Sequence, residues 1–435
     1  MQRTLATIPD RFRAPVVVRP GRNPYDTLDL NVSAASRPKI LAVTSAVSLD
    51  FQYGCTPAWW QIWKGMYEAG VDVIVTPYRG PSVQAPWWRS EDNPCEFEGE
   101  SFSKVRELAA RMKRDTHLRR EEDHPDDTRV DQLTRQVIWN WVTPKWEKHI
   151  ASILEREGDV DAVVVFTVPM SHLKGIPSKL SAKYGVPFVY YDGDVPMSLP
   201  EFGGMDTGFN IYHGADPGEY DLIVSNSKGG IPRLLEIGAK RAEPLFWGAD
   251  AEFFRPIDTP KRYDTFFYGY GDKFRREWMQ TMIGEPSRRL PEVDFAMGGG
   301  DYKGDTGRGR MVGDVPFNVF AEAISAARIN LNITRRSHAT VPLSSTCRPF
   351  ELAACGAAVV SNPHAGIEQW FTPGEEIMIV NDVDEAVAAY EQLLGDTAQA
   401  IAMGERARQR VLDEHTYAQR ARQLLGYLNL DRAAI

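Results

Sequence analysis

Short runs of β-branched and aromatic residues recur along this chain, most of them followed by a longer stretch of helical periodicity. Lys39–Ser45 (KILAVTS), Val71–Pro77, Ala162–Phe166 (AVVVF), Phe188–Tyr191 and Leu222–Ser225 make a first series. Thr265–Tyr268, Phe295–Met297, Ile329–Ile333, Ala357–Ser361 and Ile377–Val380 make a second. Runs this apolar suit strands covered on both faces, and helices on both sides of a parallel sheet provide that cover. The alternation therefore confines the chain to an α/β architecture. Helices are predicted over Pro57–Gly70, Val130–Glu157, Pro232–Ile237, Lys273–Ile283 and Phe317–Ala327. Others are predicted over Pro349–Cys355, Gly366–Phe371, Asp384–Leu394, Ala398–Leu412 and Tyr417–Tyr427.

A chain of 435 residues is long for one core, so two domains are expected. Residues 1–37 read as an irregular arm punctuated by Pro and Arg, and 38–255 as a first domain. A turn-rich, charged insertion interrupts that domain at about 79–128, including a charged helix over Lys104–Arg120. Residues 256–415 read as a second domain and 416–435 as a closing helix. Hydrophobic residues at 43% and charged residues at 25% are globular values. A net charge of −9 argues against a nucleic-acid scaffold, which carries a basic field. Cys55, Cys95, Cys347 and Cys355 form no Cys-x-x-Cys pair, so neither a disulfide framework nor a zinc site is expected, and a reducing cytoplasm fits. No signal peptide or stretch approaching the roughly 20 apolar residues of a spanning helix is visible. A peripheral contact with a membrane-bound acceptor stays open.

The segment Ser344–Phe371, SSTCRPFELAACGAAVVSNPHAGIEQWF, carries the most chemistry. Ser344, Ser345 and Thr346 stand where a helix would begin, and Pro349 fits its first turn, where a missing N–H costs nothing. Gly356 suits a C-terminal cap. A helix N-terminus opening on a loop attracts phosphate, and Glu351, one turn in, is placed to accept hydrogen bonds from sugar hydroxyls. Phosphate and hydroxyls side by side describe a nucleotide or a nucleotide-sugar. Ligands in open α/β sheets bind at the carboxyl ends of strands. Three loops leave such ends: Gly269, Gly271 and Lys273 after one strand, Arg335 and Arg336 after another, and the loop ending at Arg348. Gly298–Gly300 followed by KGDTGRGR lacks the ending of a P-loop and reads as a flexible connection. In the first half, Asp192-Gly193-Asp194 at a strand end is open to three readings: a capped turn, an acceptor or base site, or a metal pair. His172 also follows a strand end and is a candidate base. Trp59 and Trp60 can stack on sugar faces or simply pack a core; Trp87 and Trp88, in a polar loop, are harder to assign to the core.

Ser344–Phe371 resembles the donor-binding segment of group-1 glycosyltransferases of the GT-B fold, closest to the spore-maturation-type branch. Phe350, Glu351, Gly356, Gly366, Ile367 and Glu368 carry the match. The wider family has two glutamates with seven residues between them; Glu351 corresponds to the second, and Leu343 stands at the place of the first. The resemblance implies two facing Rossmann-like domains, a cleft between them, and a last helix crossing back. It implies transfer from a UDP- or GDP-linked sugar to an acceptor hydroxyl, without an essential metal ion or other cofactor. Donor contacts are then expected from Gly269, Gly271, Arg335, Ser345, Thr346, Arg348, Pro349, Phe350, Glu351, His364, Gly366 and Ile367. Arg335 and Lys273 are the expected cations, and Asp192, Asp194 and His172 the candidate bases. Tyr53, Gly54, Trp59 and Asp192 are expected on the acceptor side. The acceptor itself is open: a lipid-linked glycan, a metabolite, a protein or modified DNA. A non-catalytic nucleotide-sugar-binding protein and an epimerase on the same fold are the alternatives.

Overall fold

The computed structural model describes residues 37–47, 58–96, 129–202, 211–270, 275–300, 302 and 304–431. The chain divides into a short unit, Met1–Arg37, and a large one, Pro38–Ile435. The expected arm at 1–37 and the charged helix Lys104–Arg120 lie outside the described residues.

The large unit holds two parallel sheets. In chain order the first comprises β1 (Lys39–Ala46), β2 (Asp72–Arg79), β3 (Arg89–Ser90), β4 (Ala162–Phe166), β5 (Phe188–Asp192), β6 (Leu222–Ser225) and β7 (Ala242–Pro244). The second comprises β8 (Tyr263–Tyr270), β9 (Phe295–Gly300), β10 (Arg310–Gly313), β11 (Ala327–Asn332), β12 (Ala358–Ser361) and β13 (Met378–Ile379). The spatial orders are β3-β2-β1-β4-β5-β6-β7 and β10-β9-β8-β11-β12-β13, so each sheet reverses direction once, at β1/β4 and at β8/β11. This is the doubly wound Rossmann arrangement, in which the crevice beyond the carboxyl ends at the reversal receives ligands. The pairing sets Ile40 beside Ala162 in one sheet and Ile329 beside Thr265 in the other.

Central strands β4, β5 and β6 are buried along their whole length, as their unbroken apolar runs predict. The edge strands β3, β7 and β10 escaped prediction because they are short, partly exposed and polar. β3 comes from the segment read as an insertion. Of the glycine-rich stretch expected as a flexible connection, Gly298–Gly300 belong to β9, while residues 304–309 are turn and coil. A Cβ at Gly299 would sit 2.1 Å from the Gly269 carbonyl oxygen, so the glycines let β9 approach β8.

Three helices position the site: α1 (Ala58–Glu68), α2 (Cys347–Ala354) and α3 (Tyr417–Tyr427). α3 crosses back to the first domain as expected. It packs on α1 so closely that a Cβ at Gly65 would meet backbone and Cβ atoms of Tyr417 at 2.6 Å. Arg420 of α3, nearly buried, donates to the Trp247 carbonyl at 3.2 Å and bonds the His415 Nδ1 at 2.6 Å. Burial lowers its pKa to about 10 and that of His415 to about 3. One hydrophobic cluster runs from Ile40 and Trp63 in the first domain through Trp247 and Phe254 to Phe350 and Trp370 in the second. Separate clusters cover the outer faces of the two sheets.

Candidate functional site

α2 begins at the end of an extended segment and ends in a Schellman turn. Gly356, with φ of 67°, donates to the Ala353 carbonyl at 2.8 Å, and Ala357 donates to that of Leu352 at 3.2 Å. Pro349 is buried within its first turn. Thr346 precedes the helix but makes no side-chain cap bond.

Glu351 is fully buried. Its Oε2 accepts from Arg348 at 3.0 Å, and its Oε1 from the amide of Gln61 on α1 at 3.4 Å. Arg348 in turn lies over the ring of Phe320 at 4.4 Å and of Tyr268 at 5.6 Å. Gln61 also accepts from the Asp250 N–H at 2.9 Å. One turn along α1, the buried Lys64 bonds Asp250 at 2.7 Å, Glu252 at 3.1 Å and Glu68. Burial opposes the Lys64 charge, but Asp250 and Glu68 outweigh it, and its pKa is raised. Sequence reasoning passed over Gln61 and Lys64. Their signal is two polar residues three apart in an otherwise aromatic AWWQIWK helix.

The loop after β6 meets the loop before α2 through backbone. Ser227 bridges Ser344 in antiparallel fashion, Lys228 donates to the Leu343 carbonyl at 3.0 Å, and Gly229 to that of Pro342 at 2.9 Å. Ser345 donates its N–H and its hydroxyl to the Asn226 carbonyl, each at 2.9 Å, and its hydroxyl accepts from the Trp247 N–H at 2.9 Å. Ser345 was expected on the donor; it is spent instead in joining the domains. Leu343, at the place of the family's first glutamate, is buried with φ of 54°. It packs against Gly366, whose own φ is 90° and where a Cβ would meet the Leu343 side chain at 2.7 Å.

Other expectations are relocated by burial. Phe350 is fully buried against His415, Phe371 and Trp370, so it anchors α2 in the core instead of facing a ligand. Ile367 is buried, in a short 3-10 turn over Ile367–Gln369 where a longer helix was expected. Trp59 and Trp88 are buried edge to face with one another, so neither offers a sugar platform. His364 is buried edge-on to Trp370, and burial lowers its pKa to about 4. Gly269 lies in β8, its carbonyl accepting from the Tyr302 hydroxyl at 3.0 Å. Tyr53, Gly54, Gly271 and Lys273 lie outside the described residues.

Asp192 is wholly buried. It accepts from Ser198 at 2.6 Å, from Tyr212 at 2.5 Å and from the Asp194 N–H at 3.0 Å. Of the three readings this arrangement fits the capped turn, not an open acceptor contact. Asp194, beyond it, is partly exposed. Burial raises its pKa, and the opposing pull comes from Arg335. Arg335 precedes the short helix Arg336–Thr340 at the carboxyl end of β11, beside the strand reversal of the second sheet. The structure thus sets a carboxylate of one domain and a guanidinium of the other in electrostatic reach. His172 bonds the Tyr78 hydroxyl through Nδ1 at 2.7 Å. Burial, with Arg135 and Arg79, lowers its pKa to about 4, so it is neutral and weakly basic at pH 7. A polar lattice floors the second crevice: Asn332 donates to Ser361 at 2.8 Å and Asn362 accepts from the Thr334 N–H at 2.8 Å.

Residues 275–426 match the family model described as glycosyl transferase-like. No curated protein sequence matches the chain significantly. Sucrose-phosphate synthase from Thermosynechococcus elongatus is similar in structure, at a TM-score of 0.59 and 14% identity over 90% of this chain and 98% of that one. Anabaena HepE, solved in complex with UDP and glucose, gives 0.55 and 13% identity over 90% of this chain and 100% of that one. The T4 phage β-glucosyltransferase gives 0.52 and 12% identity over 90% and 99%. At these identities the likeness is one of fold, the GT-B fold. Among the described residues no helix is long and apolar enough to cross a membrane.

Proposed function

We propose that this chain, a GT-B glycosyltransferase, moves a sugar from a UDP- or GDP-linked donor to an acceptor hydroxyl. The observation that carries this reading is the seam between the domains at α2, where the buried Glu351 bonds Arg348 of its own domain and Gln61 of the other. As the bond from the anomeric carbon to the diphosphate oxygen breaks, negative charge grows on the departing nucleotide. Arg335 and the N-terminal N–H groups of α2 supply the complementary charge in a water-poor site. The reading needs no metal ion for this. Glu351 accepts hydrogen bonds from the ribose hydroxyls. The acceptor hydroxyl attacks the anomeric carbon and gives up its proton. Should configuration invert, Asp194 is the better base: the Asp192 carboxylate is already bonded, and His172 is a weak base. The UDP and UDP-glucose named for the Anabaena structures support a UDP-linked donor. The absence of any Cys-x-x-Cys pair from the sequence suits a reducing cytoplasm.

Calorimetric titration and thermal shift with UDP, GDP and their sugars test the proposal. Glu351→Ala is expected to weaken nucleotide binding about 10- to 100-fold, the worth of hydrogen bonds to a carboxylate. Unchanged affinity and unchanged donor turnover in that variant would remove the role assigned to Glu351.

A further inference from the structure

We propose that the Gln61 amide occupies, in the nucleotide-free protein, the place at Glu351 that a donor ribose hydroxyl takes, so that nucleotide capture displaces it. This rests on the reading of Glu351 given above. Gln61 belongs to α1 of the first domain, Glu351 to α2 of the second, and both side chains are fully buried. A buried amide is costly unless its donors and acceptor are met. The Gln61 Oε1 accepts from the Asp250 N–H at 2.9 Å, and its Nε2 donates to Glu351 Oε1 at 3.4 Å. Turned the other way, the amide would set its oxygen against a carboxylate and its hydrogens against an N–H, so the partners fix its orientation.

The two bonds are unequal. The 2.9 Å bond to backbone is of ordinary length, and the 3.4 Å bond to Glu351 is stretched. The Glu351 end is therefore the one that yields. Arg348, charged and at 3.0 Å, holds Oε2 more firmly than the amide at 3.4 Å holds Oε1, so Oε1 is the oxygen at which the exchange takes place. A ribose hydroxyl is a neutral donor, like the amide it replaces, and the charge balance of the buried pair is unaltered by the exchange. The exchange also bears on the domain crossing, because Gln61 is tied to Asp250 and Asp250 to Lys64 at 2.7 Å. Gln61 thus positions Glu351 when the site is empty and competes with the nucleotide as it arrives.

The consequence has a sign that a purely structural role does not share. Removing the amide takes the acceptor of the Asp250 N–H from the empty and the nucleotide-bound protein alike, but takes the bond to Glu351 from the empty protein only, so affinity increases. In Gln61→Met, UDP or GDP, whichever the wild type binds, is expected to bind about tenfold tighter by calorimetry. The empty variant melts lower than wild type, and the gap between empty and saturated protein widens. In a Glu351→Ala background the same substitution leaves affinity unchanged. Equal or weaker affinity in Gln61→Met, or an increase that persists without Glu351, overturns the proposal while leaving the nucleotide reading intact. A wild-type protein that binds neither nucleotide overturns both. Should Gln61→Met fail to fold, Gln61→Asn, one methylene short of Glu351, makes the same comparison.

Discussion

Gly65→Ala tests how the returning helix is held. Gly65 lies in α1 where α3 crosses it, and a Cβ there would fall 2.6 Å from the Tyr417 carbonyl carbon, 2.6 Å from its Cβ and 2.8 Å from its carbonyl oxygen. Two of those atoms are backbone, so no side-chain rotation relieves the clash and one helix must move. Overpacking of this kind costs about 1–3 kcal/mol, and the upper part of that range fits a backbone contact. Alanine is the better helix former by about 0.8–1 kcal/mol, which opposes the clash without cancelling it. The expected result is a net loss of roughly 2 kcal/mol, or a few degrees in Tm for a chain of this size. Gly426→Ala is the internal control. Gly426 lies near the end of α3, where an added methyl group would meet nothing within 4 Å, so propensity acts alone there. It is expected to stabilise by about 0.5–1 kcal/mol. Chemical denaturation of both variants at constant m-value measures the pair. If Gly65→Ala is as stable as Gly426→Ala, the close approach of α1 and α3 does not govern the docking of the last helix.

The buried histidines make stability fall with acid. His364, with a folded pKa of about 4, stays neutral while the unfolded chain takes up its proton below about 6.5. The unfolded state then binds more protons, so stability is lost between roughly pH 6.5 and 4. Near pH 5 the loss from this residue is about 2 kcal/mol, and His364→Gln is expected to flatten the pH 7-to-5 difference by that amount in denaturant titrations. An unaltered difference would show that burial does not hold the ring neutral. Asp192→Asn keeps the turn's shape but replaces one charged acceptor of two hydroxyls, and is expected to cost about 1–3 kcal/mol in melting experiments. A stable Asp192→Asn protein with selectively impaired acceptor binding would return Asp192 to the acceptor site.

The central strands were legible because a strand buried on both faces needs unbroken apolar residues, and Ala162–Phe166 and Leu222–Ser225 coincide with β4 and β6 residue for residue. The edges were not, since β3, β7 and β10 are held by one neighbour and carry no such pattern. Helix interruptions were also hidden: the span read as one helix over Val130–Glu157 contains a π-helical turn at Ile138–Val142. Phe350 and Glu351 illustrate the limit within the site. Their adjacency on α2 could be read, but only packing shows that Phe350 turns to Trp370 and Glu351 to Arg348 and Gln61.

What the sequence determined by itself is local. Apolar runs dictated parallel strands, Gly356 dictated the end of α2, and Pro349 was compatible with its beginning. What only tertiary structure decided is the employment of polar groups distant in sequence. Ser345 bonds Asn226 across 119 residues, and Gln61 reaches Glu351 across 290. A hydroxyl or amide is satisfied equally well by a ligand, by water or by another chain segment, so its partner is set by which surfaces the two sheets bring together. Strand patterns reflect burial that every copy of the fold must achieve, whereas the seam between the domains reflects a geometry that no short stretch of sequence contains.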